Sequence, residues 1–132
     1  RYYTLLLWDG NDQYSIKKII DIMYFSGANQ VKFGFPIFQD SQKKLQKRII
    51  LEYDSRTSAS MQYHKKKNQI IFDHLVARNK DLEGLYEYYI PDGTFNAYTY
   101  SKGIWLFEED IDVRTNTKTK TKKRSEEGLF PR

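Results

Sequence analysis

The sequence predicts an all-β fold: a mostly antiparallel meander of about eight or nine strands, followed by an irregular, basic C-terminal tail. Short runs of alternating apolar and polar residues recur at close intervals, divided by turn formers. Aromatic residues are 16% of the chain and Tyr alone supplies 11, so burial falls largely to rings, which suit a pleated surface better than a helix. The stretch SASMQYHKKKNQIIFDHLV, Ser58 to Val76, sets two alternating runs about a Lys-Lys-Lys-Asn tip, a β-hairpin pattern. Short links make neighbouring strands antiparallel, which leaves a twisted sheet, a sandwich or a partly closed barrel.

Taken in order, Tyr2 to Trp8 is an apolar run stopped by the turn formers Asp9-Gly10-Asn11-Asp12. Tyr14 to Phe25 fits two periods. Ile16, Ile19, Ile20, Met23 and Tyr24 fit a helix face capped by Ser15 and stopped at Gly27. Tyr14, Ile16, Ile20, Ile22 and Tyr24 fit one strand face with Lys18 misplaced, and the four β-branched Ile residues favour the strand. Val31, Phe33, Phe35 and Ile37 alternate, with Gly34 and Pro36 marking an edge strand or a bulge. Gln39 to Gln46 is a polar connection, and Arg48 to Asp54 is a half-buried strand with Ile49, Leu51 and Tyr53 inward.

In the hairpin, a turn centred on Lys66-Lys67 pairs Met61 with Phe72, and one centred on Lys67-Asn68 pairs Tyr63 with Phe72. Either register puts His74 on the face of Met61 and Tyr63 and His64 on the other. Ala77 to Asp81 is a loop. Leu85 to Ile90 is expected as a Tyr-rich strand ended by the turn triplet Pro91-Asp92-Gly93, and Phe95 to Phe107 folds as a hairpin about Ser101-Lys102-Gly103.

Charge divides the chain in two. Of 22 basic and 17 acidic residues, seven and two lie in 114–132, so the tail holds the whole excess of +5 and residues 1–113 balance at fifteen of each sign. The domain boundary is therefore placed at 113, with a β domain over 1–113 and a Lys/Thr-rich tail over 114–132. Its run Asn-Thr-Lys-Thr-Lys-Thr-Lys-Lys-Arg has no apolar residue and no base-reading pattern. Lys118, Lys120, Lys122, Lys123 and Arg124 are candidate contacts to phosphates or to an acidic partner.

The absence of cysteine excludes disulfides, thiolate metal sites and a cysteine nucleophile. No run approaches the ~18 apolar residues of a membrane-spanning helix. Arg1-Tyr2-Tyr3 is neither a start codon's product nor a secretory signal, so the chain is read as a piece of a longer precursor. His64 and His74, on opposite faces, do not meet at one ion, and Asp9 to Asp12 and Glu108 to Asp112 lack the spacing of an EF-hand loop. No metal and no cofactor is expected. His74 beside Asp73 could serve a hydrolase or metal enzyme, yet strand neighbours point apart and no nucleophile elbow is present. Tyr86, Tyr88, Tyr98 and Tyr100 are candidates for an aromatic platform that would bind a flat ligand.

The runs Leu7-Trp8-Asp9-Gly10-Asn11, Lys18-Ile19-Ile20-Asp21-Ile22, Lys47 to Tyr53, Ile70-Ile71-Phe72-Asp73-His74-Leu75 and Asp110 to Arg114 together resemble a domain of uncharacterised exported proteins of Bacteroidetes-type bacteria. The likeness spans about residues 2–115 and leaves the Lys/Thr tail outside it. It implies an envelope or extracellular setting, a β-rich domain at the C-terminal end of a longer protein, and no catalytic residues. The function expected is a non-catalytic β module that binds a protein or cell-surface partner. Nucleic-acid or polyanion binding through the tail is the alternative, and a His74 enzyme the second.

Overall fold

The longest strand of the first sheet is β2 (Ser15–Ser26), and a computed structural model that describes residues 1–113 places every other element around it or opposite it. The strand period wins over the helix period in this segment because Ile20 and Ile22 are both fully buried on one face. Lys18, the misplaced member of that face, lies in the first third of the strand, where its ammonium donates to the Ala59 carbonyl at 2.5 Å.

Sheet A joins β1 (Tyr2–Asp9) to one side of β2 along its whole length. On the other side β3 (Gln30–Phe33) pairs with one end of β2 and β6 (Ile49–Asp54) with the other. Sheet B takes the remaining strands in the order β5-β4-β10-β9-β8-β7. These are β4 (Phe38–Gln39), β5 (Leu45–Gln46), β7 (Met61–His64), β8 (Gln69–Ala77), β9 (Tyr89–Ser101) and β10 (Ile104–Glu108). Ten strands among the described residues thus form two sheets, all paired antiparallel except β10 with β4. The all-β, mostly antiparallel expectation holds.

The chain does not meander throughout. The expected single strand Val31 to Phe38 is split between the sheets, because Gly34 at φ +88° turns the backbone out of β3 and Pro36 offers no ladder donor. Gly34 is also needed for space: a Cβ there would stand 2.6 Å from the Arg48 guanidinium packed over it. Beyond the break, the Trp105 amide donates to the Ile37 carbonyl and ties the crossing segment to sheet B.

The core fills the space between the layers. Ile20 and Ile22 of sheet A meet Phe38, Ile70, Phe72, Tyr98 and Trp105 of sheet B in one cluster. Phe38 lies edge-on to Tyr98, with centroids 5.7 Å apart, and stacked with Trp105 at 6.5 Å. Each such side chain gains roughly 1.5–3 kcal/mol on leaving water.

The Ser58 to Val76 hairpin forms in the register centred on Lys66-Lys67, with Met61 opposite Phe72 and Tyr63 opposite Ile70. Its tip is a 3₁₀ turn over Lys65–Lys67 closed by Asn68 in the left-handed conformation, a role asparagine fills at small cost. The last hairpin turns on Lys102 and Gly103, both at positive φ, as a two-residue I′ connection requires.

Two expectations fail between residues 85 and 93. Tyr86–Tyr88 is a 3₁₀ turn and not part of a strand. The triplet Pro91-Asp92-Gly93 does not end a strand but lies inside β9. Asp73 pairs with Phe95 and Leu75 with Pro91, so His74 alone faces Asp92, Gly93 and Thr94 across a bulge. Asp92 takes both the amide and the hydroxyl of Thr94, at 2.9 and 2.7 Å, and this local loop absorbs the turn chemistry while β9 continues.

Candidate interaction surface

The outer face of sheet A follows from strand parity. Residues opposed across an antiparallel pair share a face, and Ile20 and Ile22 define the inner one, so the odd residues of β1 and β2 point outward. Tyr3 stands opposite Met23, and Met23 opposite Phe33; Phe25 stands opposite Val31. Lower down, Leu7 is opposite Ile19, and Ile19 opposite Ile50, with Leu5 between the two groups.

These residues form an apolar surface with little over it. Phe25, Val31, Phe33 and Ile50 keep 48–54% of their area exposed. Tyr3 meets Phe25 edge to face at 6.4 Å. With Tyr3 and Leu7 also about four-tenths exposed, the face leaves on the order of 500 Å² of apolar area in water, the upper range for a monomer without a partner there.

Its polar groups are placed as in a docking surface. Asp21 sits in the middle, buried under Arg48, whose Nε lies 3.3 Å from the carboxylate, while the Ile22 amide donates to its other oxygen. Asp9, Lys17 and Glu52 form a cross-strand row of alternating charge at one end. An apolar centre with a charged rim is the usual anatomy of a protein interface.

One edge of this sheet is also open. Among the described residues, β1 has β2 on one side and no strand on the other. It pairs with β2 from Tyr2 to Asp9 without a register shift, and contains neither Pro nor Lys. Those are the devices that usually blunt an edge. Trp8, on its inner face, is 66% exposed.

Elsewhere the β9 bulge carries His74 into a polar cleft of about 390 Å³ with Asp92, Thr94, Asn96, Glu109 and Asp110. Asn96 Oδ1 accepts the Asp110 amide at 3.1 Å, which turns its amide nitrogen towards His74 Nδ1 at 2.9 Å. Nδ1 is therefore an acceptor and the ring proton sits on Nε2, 4.0 Å from Asp92 Oδ2. Asp92 itself is held below the usual carboxylate range, first by the Thr94 hydroxyl. Among the described residues the imidazole thus faces an amide and a carboxylate, while the Thr94 hydroxyl in the same cleft is given to Asp92. Ser60 gives its hydroxyl to Asp73 instead, at 2.9 Å. Among the described residues no group of three His, Cys, Asp or Glu side chains is placed to hold a metal ion.

The four candidate tyrosines do not make one platform. Tyr98 is 4% exposed, packed between Phe38, Phe72 and Phe107, and burial pushes its hydroxyl up to about 12. Tyr100 leans on Trp105 at the last hairpin. Tyr86 pairs with Tyr89, whereas Tyr88 walls a different cleft with Tyr14 and Arg56. Lys118, Lys120, Lys122, Lys123 and Arg124 lie outside the described residues.

The residues of the outer face do not stand out as a site in the sequence because which strands lie side by side, and so which apolar residues gather on one face, is set by the pairing of β1, β3 and β6 with β2. The available signal was that β1 and β2 are apolar at odd and even positions alike. Comparison with protein-family models, curated proteins and solved structures gives no match to this chain. No helix among the described residues is long and apolar enough to cross a membrane.

Proposed function

We propose that this chain is a non-catalytic β module that binds a protein partner on the outer face of sheet A. The observation that carries this is the run of half-exposed rings and aliphatic side chains from Tyr3 through Phe33 to Ile50, with polar groups confined to its rim and to the Asp21–Arg48 pair. An envelope or extracellular setting, as the resemblance implies, would supply the partner from the cell surface.

The test is cross-linking in intact cells with the whole protein carrying Phe25→Ser, Phe33→Ser and Ile50→Ser together, against the parent and a Lys66→Ser control at the hairpin tip. All three side chains are half exposed, so thermal stability changes little while cross-linked partners disappear only in the triple variant. An unchanged partner set in a folded triple variant removes the face from the mechanism.

A further inference from the structure

From the free edge of β1, we infer that two copies of this chain join antiparallel along that strand, in the register centred on Leu5. This does not rest on the partner proposed for the outer face, which edge pairing would widen and leave uncovered.

Among the described residues no strand pairs with this edge over its eight residues, and the strand has no Pro, no Lys and no register shift to discourage strand addition. Its sequence is self-complementary in one register. With Leu5 on the two-fold axis, Tyr3 meets Leu7 of the second copy on the outer face, while Tyr2 meets Trp8 and Thr4 meets Leu6 on the inner one. The only charged residues of the segment, Arg1 and Asp9, then oppose each other at both ends.

Other registers lose this match. Centring the pair on Thr4 sets Arg1 against Leu7, and centring it on Leu6 sets Asp9 against Tyr3. Asp9 is available for the contact, since the Asn11 amide takes one carboxylate oxygen at 2.8 Å and leaves the other. The result is one continuous sheet made of two four-stranded ones.

Charge reversal tests the register directly. Sedimentation velocity of the full chain between 1 and 100 μM should show a dimer, and Leu5→Lys, which sets two lysines face to face across the axis, should be a folded monomer. Arg1→Asp and Asp9→Arg should each weaken self-association about tenfold or more, because each puts like charges at both ends of the pair. Mixing these two variants should restore dimerisation, since every end then carries opposite charges. A monomeric parent at 100 μM overturns the inference, as does a mixture that associates no better than either variant alone. Binding of a different protein's strand by a parent that stays monomeric also overturns it, while leaving the outer-face reading intact.

Discussion

Asp54→Asn should cost about 2 kcal/mol at neutral pH and progressively less in acid. Asp54 ends β6 with 2% of its surface exposed, and four donors converge on its carboxylate. Arg56 supplies its amide at 2.9 Å, Nε at 3.1 Å and Nη2 at 2.8 Å, and Arg78 reaches the same oxygen from the end of β8 at 2.8 Å. An asparagine keeps the shape but turns an acceptor into an amide donor facing guanidinium donors. Breaking a wholly buried ion pair costs ~3–5 kcal/mol. Here the Arg56 side chain is 74% exposed and rehydrates, so the loss falls to about 2 kcal/mol, the range of a charge-assisted hydrogen bond, or about 6–10 °C in Tm.

The pH dependence is the sharper part of the test. The bonds from Arg56 hold the Asp54 carboxyl well below the usual carboxylate range. A depressed folded value means the stabilisation is complete above the unfolded value of ~3.9 and is lost as pH falls towards the folded one. At pH 3 the unfolded chain has largely taken up the proton and the native state has not. The gap between parent and variant in urea unfolding should therefore narrow by about 1 kcal/mol relative to pH 7, at ~1.4 kcal/mol per pH unit. A gap below about 0.5 kcal/mol at pH 7, or one that stays the same at pH 3, would refute the role given to this carboxylate.

Two further outcomes concern the core. Phe38→Ala should cost about 3–5 kcal/mol in chemical denaturation, because the ring is fully buried between Tyr98 and Trp105 and neither can collapse into its place; a loss under 1 kcal/mol would contradict that packing. Tyr98, raised to about 12, contributes stability that is whole below the unfolded value of ~10 and is lost as pH rises above it. Tyr98→Phe should therefore flatten the fall in stability between pH 10 and 11.5, and an identical alkaline profile would count against a buried hydroxyl.

Much of the fold could be read from the residues because local pattern and final environment agree there. The turn at Lys102-Gly103 and the strand at Ile49–Asp54 are of this kind, whereas in the Ser58 to Val76 hairpin the residues fix which side chains share a face but leave two registers open. Pro91-Asp92-Gly93 looked like a strand end because a turn and a bulge need the same residues; only the partner strand decides, and β8 continues past it to Ala77. The break at Gly34 was visible, but not that the two halves belong to different sheets, since that depends on a pairing with Trp105 and Leu106 far along the chain.

The helix–strand ambiguity of Tyr14 to Phe25 had a physical source. A strand with only one buried face would have shown simple alternation, but Ile19, Met23 and Phe25 are apolar as well, and they line the exposed outer surface. The feature that blurred the secondary-structure reading is therefore the one that marks the candidate site. The buried state of Asp54 was not legible, because Arg78 is separated from it by a whole hairpin.

The parallel pairing of β10 with β4 has a consequence for how the protein is made. Trp105 can align with Phe38 only after the intervening hairpins have been synthesised, and β2 must hold β6 across a shorter but still long gap, Ser15 to Asp54. Pairings of such sequence separation place folding in the slow range, of order milliseconds to seconds, and largely after residue 105 has left the ribosome. Through that interval the nascent chain carries β1, an apolar strand with an unprotected edge. Its yield in cells should therefore depend on synthesis rate and on chaperone supply more than its native stability alone would suggest.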